Sequence, residues 1–177
     1  MALKGKSLFS FALLASVFFL SGCITYSFTG VSTTASTIKI DQFFNNSDLA
    51  PANLGATFTN RLKDYYLQNS ALKIVAENGD LSLEGVVSEY RLNPIAPTAN
   101  QTPGSRVTPA ALTRLTISVK VNYIDARVPK SSFKDKSFSF YQDFENTLNF
   151  QTIQEDLEKK IFDQILLDIF NATIANW

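Results

Sequence analysis

The chain has 177 residues, 45% of them hydrophobic and 18% charged, with Lys+Arg 16 set against Asp+Glu 16. That length and composition fit one domain with an appendage and exclude wholesale disorder. With no His in the chain, His-containing triads, His metal centres and His pH switches are excluded, and a formal charge of zero argues against a strongly basic nucleic-acid binder.

Residues 1–22 read as a signal peptide. Lys4 and Lys6 form a positive amino-terminal region, Leu8 to Leu20 is apolar apart from Ser10 and Ser16, and the small residues Ser21 and Gly22 follow. The apolar run falls short of the roughly 20 residues that span a bilayer and ends in a cleavage-like site. Leu20-Ser21-Gly22-Cys23 resembles the bacterial lipobox, in which the thiol receives a diacylglycerol and the signal is cut before the cysteine. Cys23 is the only cysteine, so it has no disulfide partner, and its acylation leaves no thiol for catalysis or metal. Two or three acyl chains anchor a protein stably where one does so only marginally. Ile24, rather than Asp, follows the cysteine and favours the outer membrane, on its periplasmic side. Residues 23–37, rich in Ser, Thr and Gly, are expected to form an acylated tether, and residues 38–177 a single domain.

Within that domain Ile38, Ile40 and Phe43 predict a short strand, Asn45 to Asp48 a turn, and Pro51 the first turn of a helix. Leu54, Phe58, Leu62 and Tyr65/Tyr66 recur at helical spacing until Asn69-Ser70. Leu72 to Val75 adds a possible short strand, and Asn78-Gly79-Asp80 a turn. Leu81 and Leu83 share a strand face, after which the apolar parity shifts to Val86, Tyr90 and Leu92, predicting a β-bulge centred on Gly85. Four prolines between Pro94 and Pro109 predict a loop or hairpin tip. Leu115, Ile117, Val119, Val121 and Tyr123 alternate with polar residues, and Phe138, Phe140 and Phe144 mark another strand. Thr152-Ile153-Gln154-Glu155 fits a capping box opening a long helix, whose stripe of Ile153, Leu157, Ile161, Ile165 and Ile169 runs toward Trp177. The order predicts an α+β fold: a two-layer sandwich with two helices packed on one face of a roughly four-stranded sheet.

Charge is unevenly placed. Ile24 to Tyr90 has 4 basic and 7 acidic residues, Arg91 to Lys136 has 8 and 2, and Ser137 to Trp177 has 2 and 7. The basic middle third nominates Arg91, Arg114, Lys120, Arg127, Lys130, Lys134 and Lys136 as candidates for binding an anionic glycolipid through its phosphates. No phosphate-binding glycine loop and no Gly-x-Ser-x-Gly elbow is present, and the carboxylates form no pattern that marks a catalytic pair, so an enzyme is not expected. Neither nucleic acid nor a metal is expected as a partner.

The ordered set of stretches resembles the LptE family of lipopolysaccharide-assembly lipoproteins. The stretches are Ser21 to Gly30, Asn53 to Asp64, Glu77 to Gly85 with Tyr90 and Pro94, Leu112 to Val119, Phe138 to Phe144, and Asp168 to Trp177. The resemblance implies a non-enzymatic α/β sandwich with no cofactor beyond the lipid on Cys23. It further implies insertion into the lumen of an LptD-type outer-membrane β-barrel as a plug and delivery of lipopolysaccharide to the outer leaflet. The alternatives left open are a stand-alone periplasmic lipid or ligand carrier and a pilotin-like escort for another outer-membrane complex.

Overall fold

The computed structural model describes residues 34–95 and 111–174. All of them fall within one compact unit, Val31–Trp177. Cys23, the signal, most of the tether, Arg106 and the proline-rich stretch after Ile95 lie outside the described residues.

Six strands form one mixed sheet. β1 (Thr37–Ile40), β2 (Phe44–Asn45), β3 (Lys73–Val75), β4 (Leu81–Ile95), β5 (Leu112–Asp125) and β6 (Phe133–Glu145) are joined by α1 (Leu54–Asn69) between β2 and β3. α2 (Phe150–Thr173) follows β6. The strand order is β3-β1-β4-β5-β6, with β2 also paired to β4. β1 runs parallel to β3 and β4, whereas β4, β5 and β6 form an antiparallel meander. The expected α+β class holds. The sheet has six strands rather than four: β3 falls within the short strand expected at Leu72 to Val75, while β2, only 2 residues long, is too short to leave a periodic signal.

Both helices cover one face of the sheet. Ile38, Leu83, Val87, Ile117, Val119, Val121 and Phe138 point into that face and are buried against Phe58, Leu62, Ile161, Phe162 and Ile165. Aromatic rings join the layers: Phe43 meets Phe58 at 5.1 Å between centroids, Phe58 meets Phe162 at 5.2 Å, and Tyr66 meets Phe170 at 5.3 Å. The last two are edge-to-face and the first is tilted, and aromatic pairs of this kind add roughly 0.5–1.5 kcal/mol beyond area burial. Tyr66 and Thr173 close the helix–helix seam with a buried hydroxyl–hydroxyl bond of 2.6 Å.

Three local expectations need correction. The bulge in β4 lies at Ser88, between Val87 and Glu89, not at Gly85. Gly85 is needed for space instead: a Cβ there would stand 2.5 Å from the Phe43 ring and collide with the Lys120 carbonyl. The capping box does not form. Asn149 caps α2, its Oδ1 accepting from the Gln151 amide at 2.9 Å, and Phe150 stacks on Phe144, so the helix starts before Thr152. Pro51 precedes α1 in a turn whose carbonyl accepts from Leu54 N at 3.0 Å, and the helix begins only at Leu54. Among the described residues, no helix is long and apolar enough to cross a membrane.

Candidate functional site: the uncovered sheet face and its lysine end

The register assigns each candidate to a face. Opposite residues of β5 and β6 include Arg114 with Asp143, Thr116 with Tyr141, Ser118 with Ser139 and Lys120 with Ser137; across β5 and β4 they include Lys120 with Val86 and Thr116 with Arg91. Odd-numbered β5 residues from Leu115 to Tyr123 face the helices. Arg91, Arg114 and Lys120 therefore stand on the face that no helix covers. Lys136 pairs across from Val121 and so rises on the helix side, at the free edge of the sheet, its Nζ 5.0 Å from the Phe133 ring centroid. Lys130 sits in the 3₁₀ turn Pro129–Ser131 between β5 and β6. Lys134 and Lys136 flank Asp135, whose φ of 51° marks the irregularity where β6 loses register against β5. Charges and a bulge on an edge strand also protect it from pairing with another chain.

The seven candidates separate by chemistry. All three arginines are engaged in ion pairs. Arg114 grips Asp143 through two bonds, of 2.7 and 2.9 Å, and lies over the Tyr141 ring at 3.6 Å. The guanidinium holds the Asp143 carboxyl below its ordinary range. Arg91 pairs with Glu89. Arg127 pairs with Asp80 at 3.0 Å and donates to the Thr34 carbonyl. All four lysines, Lys120, Lys130, Lys134 and Lys136, are exposed, and none forms an ion pair among the described residues. A planar fork suits fixed bidentate pairing, while a flexible ammonium stays hydrated until a phosphate arrives. The lysines are thus the cations left available.

Asp80 is a structural residue whose role the sequence pattern does not reveal. Its Oδ2 accepts from the backbone amides of Ser36 at 2.8 Å and Thr37 at 3.0 Å, its own amide donates to Thr37 Oγ1 at 2.9 Å, and its Oδ1 meets Arg127. These bonds, led by the Ser36 amide, pull its pKa down to about 2. The result is a clamp on the incoming chain between Thr34 and Thr37. Asn78-Gly79-Asp80 reads only as a turn in sequence, and nothing local links it to Arg127, 47 residues away. The turn does carry the reason for its glycine. Residues 76–80 cross from β3 to β4 over β1, and a Cβ on Gly79 would stand 2.6 Å from the Lys39 amide nitrogen.

A separate groove of about 580 Å³ lies between the N-terminal ends of the two helices, lined by Asn53, Thr57, Arg61, Gln154, Glu155 and Glu158 among others. Glu158 accepts there from the buried Tyr90 hydroxyl at 2.9 Å; burial is the main cause that lifts the Tyr90 pKa. The two carboxylates oppose an anionic ligand in this groove. Among the described residues no three His, Cys, Asp or Glu side chains come together to hold a metal ion.

The family model for LptE, lipopolysaccharide-assembly, matches residues 35–173, from the start of the clamp to the last turn of α2. The chain belongs to the LptE family. No curated protein sequence matches it significantly. Solved structures share the fold of this LptE member. Lipoprotein B from Nitrosomonas europaea superposes with a TM-score of 0.52 at 14% identity, covering 80% of this chain and 83% of that one. A hypothetical protein from Chlamydia trachomatis gives 0.52 at 11% identity, covering 80% of this chain and 99% of that one. At such identities the likeness is one of fold alone. The stretch matched to LptE contains all seven cationic candidates and excludes Cys23.

Proposed function

We propose that the chain is a non-enzymatic outer-membrane lipoprotein, acylated on Cys23 after loss of residues 1–22. In this reading it plugs and assembles an LptD-type β-barrel and assists passage of lipopolysaccharide to the outer leaflet. The observation that carries the reading is the LptE family match across residues 35–173, nearly the whole described chain. The geometry agrees with it. Helices seal one sheet face with apolar contacts, and the other presents Ser, Thr, Asn and paired charges, suited to the polar interior of a barrel. The lysines Lys120, Lys130, Lys134 and Lys136 supply unpaired cations for lipid A phosphates, whereas Arg91, Arg114 and Arg127 are held by carboxylates of the same chain. The groove between the helix ends is lined mostly by polar side chains, with Pro51, Leu54 and Phe162 as its apolar part, which favours the plug over an apolar lipid carrier.

Depletion of the protein in its host tests this function. It should lower both the amount of assembled barrel and the lipopolysaccharide displayed on the cell surface. Unchanged surface lipopolysaccharide under full depletion would contradict the proposal.

A further inference from the structure

One end of the sheet gathers cations, exposed apolar side chains and the entering chain. The start of β1, the start of β4, the end of β5 and the start of β6 lie together there, because Ile38 pairs with Leu81, Leu81 with Asp125, and Tyr123 with Phe133. The chain enters the domain at this same end, fixed by Arg127 and Asp80 at Thr34 to Thr37. Lys130 in the tip turn lies at the β6 edge with Lys134 and Lys136, Lys73, opposite Thr37 at the start of β3, lies at the other edge of the same end, and none of the four forms an ion pair among the described residues. Two of the local carboxylates are already committed. Asp80 is occupied by the clamp, and Asp125 accepts from the amides of Arg127 and Val128 at 2.8 Å each and from the Ser131 hydroxyl at 3.1 Å. Asp135 between Lys134 and Lys136 and Glu77 in the crossover after β3 are exposed acids, and exposed Glu84 accepts from Asn122, so the four lysines outnumber the acids left uncommitted. Beside these cations the same tip exposes two apolar side chains, Ile124 at 56% and Val128 at 49%.

Lysines around exposed aliphatic residues are the composition of a surface that lies in a headgroup layer: the ammonium groups meet phosphates while the short apolar chains dip below them. We propose that this end of the domain stays outside the barrel lumen and docks on an anionic phospholipid bilayer, with Lys130, Lys134 and Lys136 on the headgroups at one edge, Lys73 at the other, and Ile124 and Val128 inserted between them. The proposal rests on the lipid-anchored reading and deepens it by giving the domain an orientation. Cys23 precedes Thr34 by 11 residues, at most about 40 Å of extended chain, so an acylated Cys23 confines the clamped end near the membrane. The clamp sets which end that is. The far end of the sheet, where Ile95 pairs with Leu112 and Leu112 with Glu145, then points away from the bilayer.

The test uses the acylated full chain in vesicles, in a Trp177→Phe background that removes the only tryptophan. Tryptophan is then placed at the tip (Val128→Trp) or at the far end (Leu148→Trp, a site 49% exposed). Vesicles of phosphatidylcholine, with or without phosphatidylglycerol, carry acyl chains brominated near the headgroup as quenchers. The expected result with phosphatidylglycerol is several-fold stronger quenching at position 128 than at 148, lost on combined Lys130→Glu, Lys134→Glu and Lys136→Glu substitution with an unchanged circular dichroism spectrum. Equal quenching at the two positions, or quenching at 128 that survives the charge reversal, overturns the docking surface. Flotation with pure phosphatidylcholine vesicles reads the anchor by itself: failure there overturns acylation of Cys23, while quenching on the phosphatidylglycerol vesicles still decides the docking.

Discussion

At the scale of single residues, the chain places glycines and carboxylates where backbone meets backbone. Gly85 leaves room for the Phe43 ring and for the carbonyl of Lys120. Overpacking costs typically 1–3 kcal/mol, and the clash with a backbone oxygen cannot be relieved by a rotamer change. Gly85→Ala should therefore lower stability by about 2 kcal/mol or more in urea unfolding, whereas Ser88→Ala, in the bulge itself, should cost much less. Asp80 gives a pH prediction. Its folded pKa of about 2 lies below the ordinary carboxylate value, so the clamp is fully formed above pH about 4 and is lost as pH falls through about 2. An NMR titration should find the Asp80 midpoint near about 2, and Asp80→Asn should speed hydrogen exchange at the Ser36 and Thr37 amides. The engaged arginines differ from the free lysines in what their loss does. Arg114→Ala removes a bidentate pair and a ring contact, a loss felt in folding, whereas Lys120→Glu and Lys130→Glu should weaken lipopolysaccharide binding at low salt with little change in stability. Unchanged binding after reversal at Lys120 and Lys130 would remove both from the site.

At the scale of elements, α2 tests how helix starts are chosen. Asn149→Ala should cost about 1 kcal/mol, the usual value for a lost cap, and Thr152→Ala clearly less, by thermal or urea unfolding of each variant. A greater loss at Thr152 would restore the capping-box reading. The sequence pattern of Thr152 to Glu155 was a sound local signal overridden by a tertiary one: the stacking of Phe150 on Phe144 draws the helix start back to the strand end. The long elements were legible because their apolar periods are set by burial on one face, as at Leu115 to Tyr123 and at Leu157 to Ile169. β2 was not, since a strand of 2 residues is defined by its neighbours rather than by a pattern, whereas β3 lies within the short strand read at Leu72 to Val75. The bulge was seen one turn of the pleat early because Val87, not Val86, faces the core. For the site, clustering of basic residues could be read directly. Which of them are spent in ion pairs could not, because Asp143 and Asp80 reach Arg114 and Arg127 from 29 and 47 residues away.

At the scale of the whole molecule, the balanced total charge conceals a division of labour. Apolar surface is used up between the helices and one sheet face, and the remaining face and lysine end stay exposed. Membership of the LptE family gives those surfaces a context in lipopolysaccharide assembly. The anchor has its own check: Cys23→Ala should abolish acylation, and normal lipid labelling of that variant would refute the lipobox. Affinity purification of the tagged lipoprotein from membranes in mild detergent tests the partnership with a β-barrel. A large outer-membrane β-barrel of the LptD type should be recovered in stoichiometric amount. Recovery of the acylated, folded lipoprotein without any such barrel would contradict that partnership.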